Sequence, residues 1–187
     1  VLSHSCGMGE EVIPEVVRLM MYLKIKGLGQ GFSGIRLETV QKLAELYNHQ
    51  IYPVIWETGS LGASGDLAPL AHLALPLIGQ GWVNYKGEKR ETATVFEELN
   101  IQPVQLKAKE GLALLNGTQF MSAWGAWSIL ESKRVSKLAD LTSAISVDAF
   151  NASLDPFHPA IHKVRPHKGQ LESAANVLEF LKGSEIA

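Results

Sequence analysis

The sequence predicts a mainly α-helical protein that contains one small β-hairpin. Two observations carry this prediction: apolar residues recur at helical spacing through most of the chain, and only one short stretch alternates with the two-residue period of a strand. With 187 residues, 46% of them hydrophobic, the chain is long enough to form a single domain with a sizeable core. Only 19% of the residues are charged, which predicts that much of the surface is covered within a larger subunit or an interface.

The first third of the chain predicts two helices. Residues 10–26 are apolar on almost every side, with Pro14 tolerated in a first turn and Gly27 available as a stop, so they predict a buried helix. A second helix is predicted over 37–47, where the apolar residues share one face. Residues 52–65 contain a proline and several glycines and are predicted to be irregular.

The middle of the chain predicts a third helix and the hairpin. Asp66 has the chemistry of an N-cap for this helix, and Pro69 stands in the first turn, where its missing N–H does no harm. Pro76 is expected to kink the helix or to end it early. Residues 82–91 alternate around Lys86-Gly87 and predict the hairpin.

The remainder predicts one long helix, over about 117–151, and several short ones. The apolar side of the long helix carries Trp124, Trp127, Leu130, Leu138 and Leu141. A loop interrupted by prolines is predicted over 155–170. Short helices are predicted over 94–100, where residues 94–97 have capping-box spacing, over 109–115 and over 171–182.

Composition excludes several classes of function. The net charge of −2 and the pI of about 6.3 argue against nucleic acid or an anionic membrane as a partner. No apolar run is long enough to cross a bilayer. The single cysteine, Cys6, fits a reducing compartment, and without a signal-peptide pattern the cytoplasm is expected. Because the chain opens on Val1 rather than Met, we expect it to be a segment of a longer protein.

The stretch GSLGASGDLAPLAHLA, residues 59–74, places a serine among glycines directly before a helix. The simplest interpretation is a tight loop that leads into the helix. A hydrolase nucleophile elbow, G-x-S-x-G, is excluded by spacing, because Asp66 occupies the position of the second glycine after Ser64. Around Ser60 the motif fails as well, since Thr58 stands where a glycine is needed.

A third interpretation is covalent self-modification. The amide nitrogen of Gly65, which has no Cβ in the way, can attack the carbonyl carbon of Ala63 and close a five-membered ring. Loss of two waters, one of them from the Ser64 hydroxyl, leaves a methylidene-imidazolone with an electrophilic methylene. Gly59 and Gly62 supply the backbone freedom that such a closure needs. The following helix N-terminus would favour negative charge on the ring.

The longer context resembles the family of histidine and phenylalanine ammonia-lyases, in which an Ala-Ser-Gly triplet forms this prosthetic group. Besides 59–74, the segments GFSGIR (31–36), AKEGLALLNGTQ (108–119) and RPHKGQ (165–170) are similar to family segments in order and spacing. The resemblance implies an ammonia-lyase-like helical fold, of which residues 1–187 form one N-terminal to central part. It also implies 4-methylidene-imidazol-5-one as the cofactor, formed autocatalytically from Ala63-Ser64-Gly65.

The resemblance assigns roles to three further residues. The pair Ser3-His4 stands where family members select the substrate ring, and the Ser-His form resembles enzymes specific for histidine, in which this histidine binds substrate and takes part in catalysis. Polar partners suit an imidazole substrate. The alternative is that His4 only packs near the start of an element. Asn116 matches an asparagine that contacts the prosthetic group and substrate, and it also suits a turn or cap. Asp66 is expected to support the loop.

The implied reaction is elimination of ammonia from L-histidine to give trans-urocanate. The family assembles as a homotetramer and takes its base from a tyrosine upstream of residue 1, so the segment alone is expected to be inactive. Two alternatives stay open: a tyrosine or phenylalanine lyase or an aminomutase of the same family, and a helical scaffold without the ring. No metal site is expected at His158, His162 and His167, because two prolines disrupt their helical register and cysteine ligands are lacking.

Overall fold

The computed structural model describes residues 1–186 and divides into two compact units. Unit 1 comprises Val1–Trp127 and unit 2 comprises Ser128–Ala187, described as far as residue 186. Eight α-helices are assigned in the described residues: α1 Pro14–Leu28, α2 Leu37–Asn48, α3 Leu67–Ala74, α4 Thr92–Leu99, α5 Glu110–Leu115, α6 Gln119–Ala149, α7 Pro159–Lys163 and α8 Lys168–Phe180.

Unit 1 also contains two small antiparallel sheets. Strands β1 (Met8–Glu11) and β3 (Trp56–Thr58) form one pair, whose register is interrupted by an irregularity. The second sheet has the order β2-β4-β5, built from Tyr52–Pro53, Trp82–Tyr85 and Glu88–Glu91. Strands β4 and β5 are joined by Lys86 and Gly87, both at positive φ, as the tight turn of a two-residue hairpin requires.

The core of unit 1 is formed by the inward faces of α1, α2 and α3 and by the hairpin. Met20 and Met21 of α1 and Leu43 of α2 are fully buried, as are Leu70 of α3 and Val83 of β4. α3 is apolar on almost every side, and nearly all of its residues are buried. Burial of these side chains makes the main favourable contribution to the free energy of folding of unit 1. It also makes α3 a fixed support for the loop that precedes it.

A buried carboxylate, Glu110, joins the start of α5 to the start of α2. Arg36 donates to it through Nη2 at 2.9 Å and through Nε at 3.2 Å, and Thr39 donates through its hydroxyl at 2.8 Å. The backbone N–H of Lys107 donates as well, at 2.6 Å. Burial favours the neutral acid, but these hydrogen bonds outweigh it and lower the pKa of Glu110 to about 2. Glu110 is therefore ionised and holds the loop before α5 in place.

Unit 2 has a smaller core of its own. Ala144 of α6 and Val177 and Leu181 at the α8 end are buried together. Asn176 donates to the Asp140 carboxylate at 2.7 Å, which links α8 to α6 within the unit. Three leucines predicted on the apolar side of the long helix are more than a third exposed: Leu130, Leu138 and Leu141.

Several predicted boundaries differ from the structure. The first helix begins at Pro14 rather than at residue 10, because the residues before it form β1. The region 52–65 is not wholly irregular, since β2 and β3 lie in it. α4 begins at Thr92, so the capping-box spacing at 94–97 does not mark its start. α3 ends before Pro76, as expected.

Glu110→Ala is expected to lower the free energy of unfolding by about 3 kcal/mol or more, because it removes the shared acceptor of Thr39, Lys107 and Arg36 and leaves the buried Thr39 hydroxyl without its partner. Urea unfolding followed by circular dichroism measures the change. Glu98→Ala is the matched control, since this exposed carboxylate pairs with Arg90 at the surface and its loss should cost far less. Equal losses for both variants would contradict the role given to Glu110.

Candidate functional site

The loop that carries Ala63-Ser64-Gly65 is built on glycines in the left-handed region. Gly59, Gly62 and Gly65 have φ values of +113°, +108° and +71°. The N–H of Gly65 donates to the carbonyl of Gly62 at 3.2 Å, which closes a turn across the triplet. The Ser64 hydroxyl accepts from the N–H of Asp66 at 3.3 Å. The glycine content of the loop is therefore a conformational requirement.

These residues suit the ring closure that the sequence suggests. The turn brings the Gly65 nitrogen back toward the start of the triplet. Ala63 is exposed and Ser64 is half-buried, so no packed side chain obstructs the loop. A Cβ built on Gly65 would meet no atom closer than the Ser60 hydroxyl at 3.7 Å, so glycine is required here by its φ and not by space. The backbone conformation here is therefore compatible with formation of a methylidene-imidazolone from these three residues.

The first residues of the chain lie directly against this loop. A Cβ on Gly59 would stand 3.0 Å from the Cα of Gly7 and 3.1 Å from the carbonyl oxygen of Cys6, so the two backbones touch. Side chains of both segments line a cleft of about 260 Å³, and the residues of its wall are Ser3, His4, Cys6, Gly59, Leu61, Gly62, Leu67 and Ala68.

The structure thus brings His4 to the loop through this shared cleft. Its neighbour Ser3 lies with Oγ 3.0 Å from His4 Nδ1. Ser64 and Asn116 are not among the described residues that line the cleft. Ala63 and Gly65 do not line it either. The Ser64 hydroxyl accepts from the N–H of Asp66, and the Asn116 carbonyl accepts from Lys24, whose charge interacts with that of Asp66.

Asp66 caps a different helix from the one predicted. It precedes α3, but no hydrogen bond from its side chain caps α3. Its buried carboxylate instead accepts from the backbone N–H groups of Phe120, at 2.8 Å, and Met121, at 3.3 Å, in the first turn of α6. Burial raises the pKa of Asp66 above its ordinary value, although these two N–H groups and the charge of Lys24 oppose this change. The loop that carries Ala63-Ser64-Gly65 is therefore joined to the start of α6.

Asn116 lies at the end of α5 with an exposed side chain whose amide donates to the carbonyl of Leu112 at 3.0 Å. Its own carbonyl accepts from the ammonium group of Lys24 at 3.0 Å. Lys24 belongs to α1 and is only 2% exposed. Burial lowers the pKa of Lys24 to about 8, although the negative charge of Asp66 opposes this change.

His72 anchors the first residues of the chain to α3. Its Nε2 accepts a hydrogen bond from the N–H of Gly7 at 3.0 Å, so this nitrogen carries no proton. Burial lowers the pKa of His72, which favours the neutral ring that this bond needs. The sequence suggests only packing for this residue, whereas the structure gives it a defined hydrogen bond beside the cleft.

The sequence alone could have singled out Lys24 and His72 as buried polar residues. Lys24 follows Met20 and Met21 at helical spacing, on the face that is otherwise apolar, and such a charge requires a partner. His72 is the one imidazole in an apolar helix. Neither signal identifies the partner, because Asn116 and Gly7 are remote in sequence.

Among the described residues 1–186, no group of three or more His, Cys, Asp or Glu side chains is arranged to hold a metal ion. None of the helices in these residues combines the length and the apolar character needed to cross a membrane.

Comparison with known proteins identifies the family to which the chain belongs. Residues 1–187, the whole chain, match the family model described as aromatic amino acid lyase. The chain belongs to the aromatic amino acid lyase family. The resemblance found in the sequence is thereby confirmed.

Individual members of the aromatic amino acid lyase family match over nearly the whole chain. The histidine ammonia-lyase of Caldanaerobacter subterraneus subsp. tengcongensis is 47% identical over 186 residues, which are 100% of this chain and 37% of that protein. The crystal structure of histidine ammonia-lyase from Trypanosoma cruzi has a TM-score of 0.85 and 43% identity, over 94% of this chain and 35% of that one.

A tyrosine aminomutase from Streptomyces globisporus has the same fold, with a TM-score of 0.89 and 36% identity over 100% of this chain and 35% of that chain. These likenesses confirm the predicted helical fold of the ammonia-lyase type. The chain spans just over a third of the length of these relatives.

The His72 bond is expected to make stability depend on pH. Because burial lowers the folded-state pKa of His72 below the ordinary value of 6.5, the unfolded chain binds more protons between the two values. The contribution of His72 is complete above pH 6.5 and is lost as the pH falls through the folded-state pKa. The urea concentration at the unfolding midpoint should therefore decrease as the pH is lowered from 7.5 to 5. This range extends about one unit or more on either side of the pKa of a free imidazole.

His72→Gln keeps an acceptor for Gly7 but does not titrate, so this variant should lose part of that pH dependence. His49→Gln is the control, since His49 is exposed at the end of α2. An identical pH profile for His72→Gln and the unaltered protein would show that His72 does not contribute.

Proposed function

We propose that this chain is the part of an ammonia-lyase that bears the prosthetic group, in a protein that eliminates ammonia from L-histidine and releases trans-urocanate. The observation that carries the proposal is the cleft in which Ser3 and His4 face the glycines of the Ala-Ser-Gly loop. A histidine-bearing wall beside an electrophile-forming loop suits an imidazole amino acid. The match to proteins named histidine ammonia-lyase at 42–49% identity supports the same choice.

Ala63, Ser64 and Gly65 would hold the 4-methylidene-imidazol-5-one ring. The Gly65 nitrogen bonds to the Ala63 carbonyl carbon, and two waters leave, one with the Ser64 hydroxyl. When formed, the ring supplies an electrophilic carbon that converts the amine of the substrate into a leaving group. Asp66 supports the loop from its C-terminal side by holding it to α6.

His4 is assigned to the substrate. The contact with Ser3 engages Nδ1, so Nε2 is the atom that would meet the imidazole of L-histidine. An imidazole needs hydrogen-bond partners when it leaves water, and an apolar wall would leave its nitrogens unpaired. Asn116 is assigned to substrate and prosthetic group through its exposed side chain, whose amide nitrogen donates to Leu112 and whose amide oxygen would make the contact.

Two features bear on the alternatives within the family. The likeness to a tyrosine aminomutase shows that the same fold accompanies other named activities, so specificity depends on the wall of the cleft. The Ser3-His4 pair resembles the form found in histidine-specific members of the family, and it therefore favours L-histidine over tyrosine or phenylalanine. We also propose a homotetramer, which is supported by exposed apolar side chains along α6: Leu130, Val135, Leu138, Leu141 and Ile145.

Ser64→Ala is expected to abolish both the ring and the reaction. In the complete protein, kcat/KM for L-histidine should fall by at least about 1,000-fold, because the electrophile is made from this side chain. Urocanate absorbance measures the rate, and intact mass measures the ring, whose formation removes about 36 Da as two waters.

Ser60→Ala is the matched control for this test, since Ser60 lies in the same loop but outside the triplet. It should keep both the mass deficit and most of the activity. Full histidine turnover by Ser64→Ala would contradict the proposed mechanism, and an unshifted mass in the unaltered complete protein would favour the scaffold interpretation.

His4→Leu is expected to change substrate preference. Removal of the imidazole should lower kcat/KM for L-histidine by about 100-fold or more, because the substrate ring loses its polar partner. Activity on L-tyrosine and L-phenylalanine should fall much less or rise. Rates with all three amino acids, measured side by side, give the ratio. Unchanged preference would remove His4 from the specificity role.

A further inference from the structure

Lys24 lies in a position where a charge is costly. It follows Met20 and Met21 on the inward face of α1 and is as deeply buried as they are. An apolar residue of similar length would pack there without the cost of removing an ammonium group from water. The presence of a lysine therefore calls for a specific contact that a methionine cannot make.

The contact that the ammonium group makes is with the backbone of Asn116. Lys24 Nζ donates to the Asn116 carbonyl oxygen at 3.0 Å, from a residue 92 positions earlier in the chain. On its other side, Asn116 donates to the Leu112 carbonyl through both its backbone N–H, at 2.9 Å, and its side-chain amide, at 3.0 Å. The peptide of Asn116 is thus held between α5 and α1.

The same lysine acts on Asp66, the charged group that faces it. The charge of Asp66 raises the pKa of Lys24, and that of Lys24 lowers the pKa of Asp66, so each stabilises the ionised form of the other. Asp66 in turn holds Phe120 and Met121. The short connection between α5 and α6 is therefore fixed at residue 116 by Lys24 and at residues 120–121 by Asp66.

We propose that Lys24 is a positioning residue for the reaction: its ammonium group holds the backbone of Asn116 and so fixes the place from which the Asn116 side chain contacts the substrate and the prosthetic group. This inference rests on the proposed function. Lys24 itself touches no substrate, and its whole effect on the rate passes through Asn116.

That dependence gives a test by a double-mutant cycle on the complete protein. Lys24→Met keeps length and apolar packing but removes the donor, and it should lower kcat/KM for L-histidine by about 10- to 100-fold, mainly in kcat, since a small misplacement of a catalytic group costs that much. Asn116→Ala keeps the carbonyl that Lys24 binds but removes the amide. In that background Lys24→Met should cost less than about 3-fold, because no amide is left to position.

Three measurements distinguish positioning from support of the fold. The mass deficit of about 36 Da should persist in Lys24→Met, so that the ring is intact while the rate falls. Lys24→Gln, which retains a shorter donor, should recover part of the rate. Lys26→Met, an exposed lysine on the same helix, is the matched control and should leave the rate unchanged.

Several outcomes would overturn the inference. These are an equal loss of rate in the two backgrounds, an unchanged rate in Lys24→Met, or failure of both Lys24 variants to fold, since each assigns Lys24 to something other than Asn116. If the unaltered complete protein releases no ammonia from L-histidine, the proposed function fails first, and that result is visible before any variant is compared.

Discussion

The carboxylate of Asp66 is the contact on which the site depends. Asp66 is the last residue of the loop that carries Ala63-Ser64-Gly65, yet its carboxylate binds the first turn of α6, more than fifty residues later. The unpaired N–H groups of a helix start favour a negative charge, and burial strengthens that attraction by excluding water. As a result the C-terminal end of the loop is attached both to the long helix α6 and to α3, whose residues are nearly all buried.

Around this contact the protein arranges its buried charges in two separate networks. Lys24 and Asp66 lie at the α5–α6 connection, while Arg36 and Glu110 lie at the opposite end of α5. α5 is only six residues long and has little stability of its own. Both of its ends are therefore held by ionic groups from other elements, and Asn116 at its C-terminal end is placed by tertiary contacts.

Local patterns in the sequence predicted seven of the eight helices in the described residues and the hairpin. The five-residue helix α7 was missed, because residues 155–170 were predicted to be a loop interrupted by prolines. The periodicity of α2 and α6 predicts their bounds to within about two residues, and Lys86-Gly87 identifies the turn of β4–β5. The strands β1, β2 and β3 were missed, because each has four residues or fewer and is defined by a distant partner. The same reason explains Asp66: its cap chemistry is evident in the sequence, but the helix that it caps is not its neighbour in the chain.

The roles of Ser64, His4 and Asn116 were inferred from motif and chemistry, and they remain proposals. The structure adds to them the environment that a sequence does not contain: the cleft beside His4, the Gly7 bond of His72 and the lysine beneath Asn116. Each of these joins residues more than fifty positions apart, so no local pattern could have revealed them.

Gly59 approaches residues 6 and 7 through backbone atoms rather than through side chains. Where two segments meet through side chains, a small displacement of one can be absorbed by a rotamer change in the other. At Gly59 the contact is between backbone atoms, and no side chain lies between the two segments. A displacement of Gly59 is therefore expected to move the backbone of residues 6 and 7, which lead into β1, so that the Ala-Ser-Gly loop and the segment that carries His4 shift together.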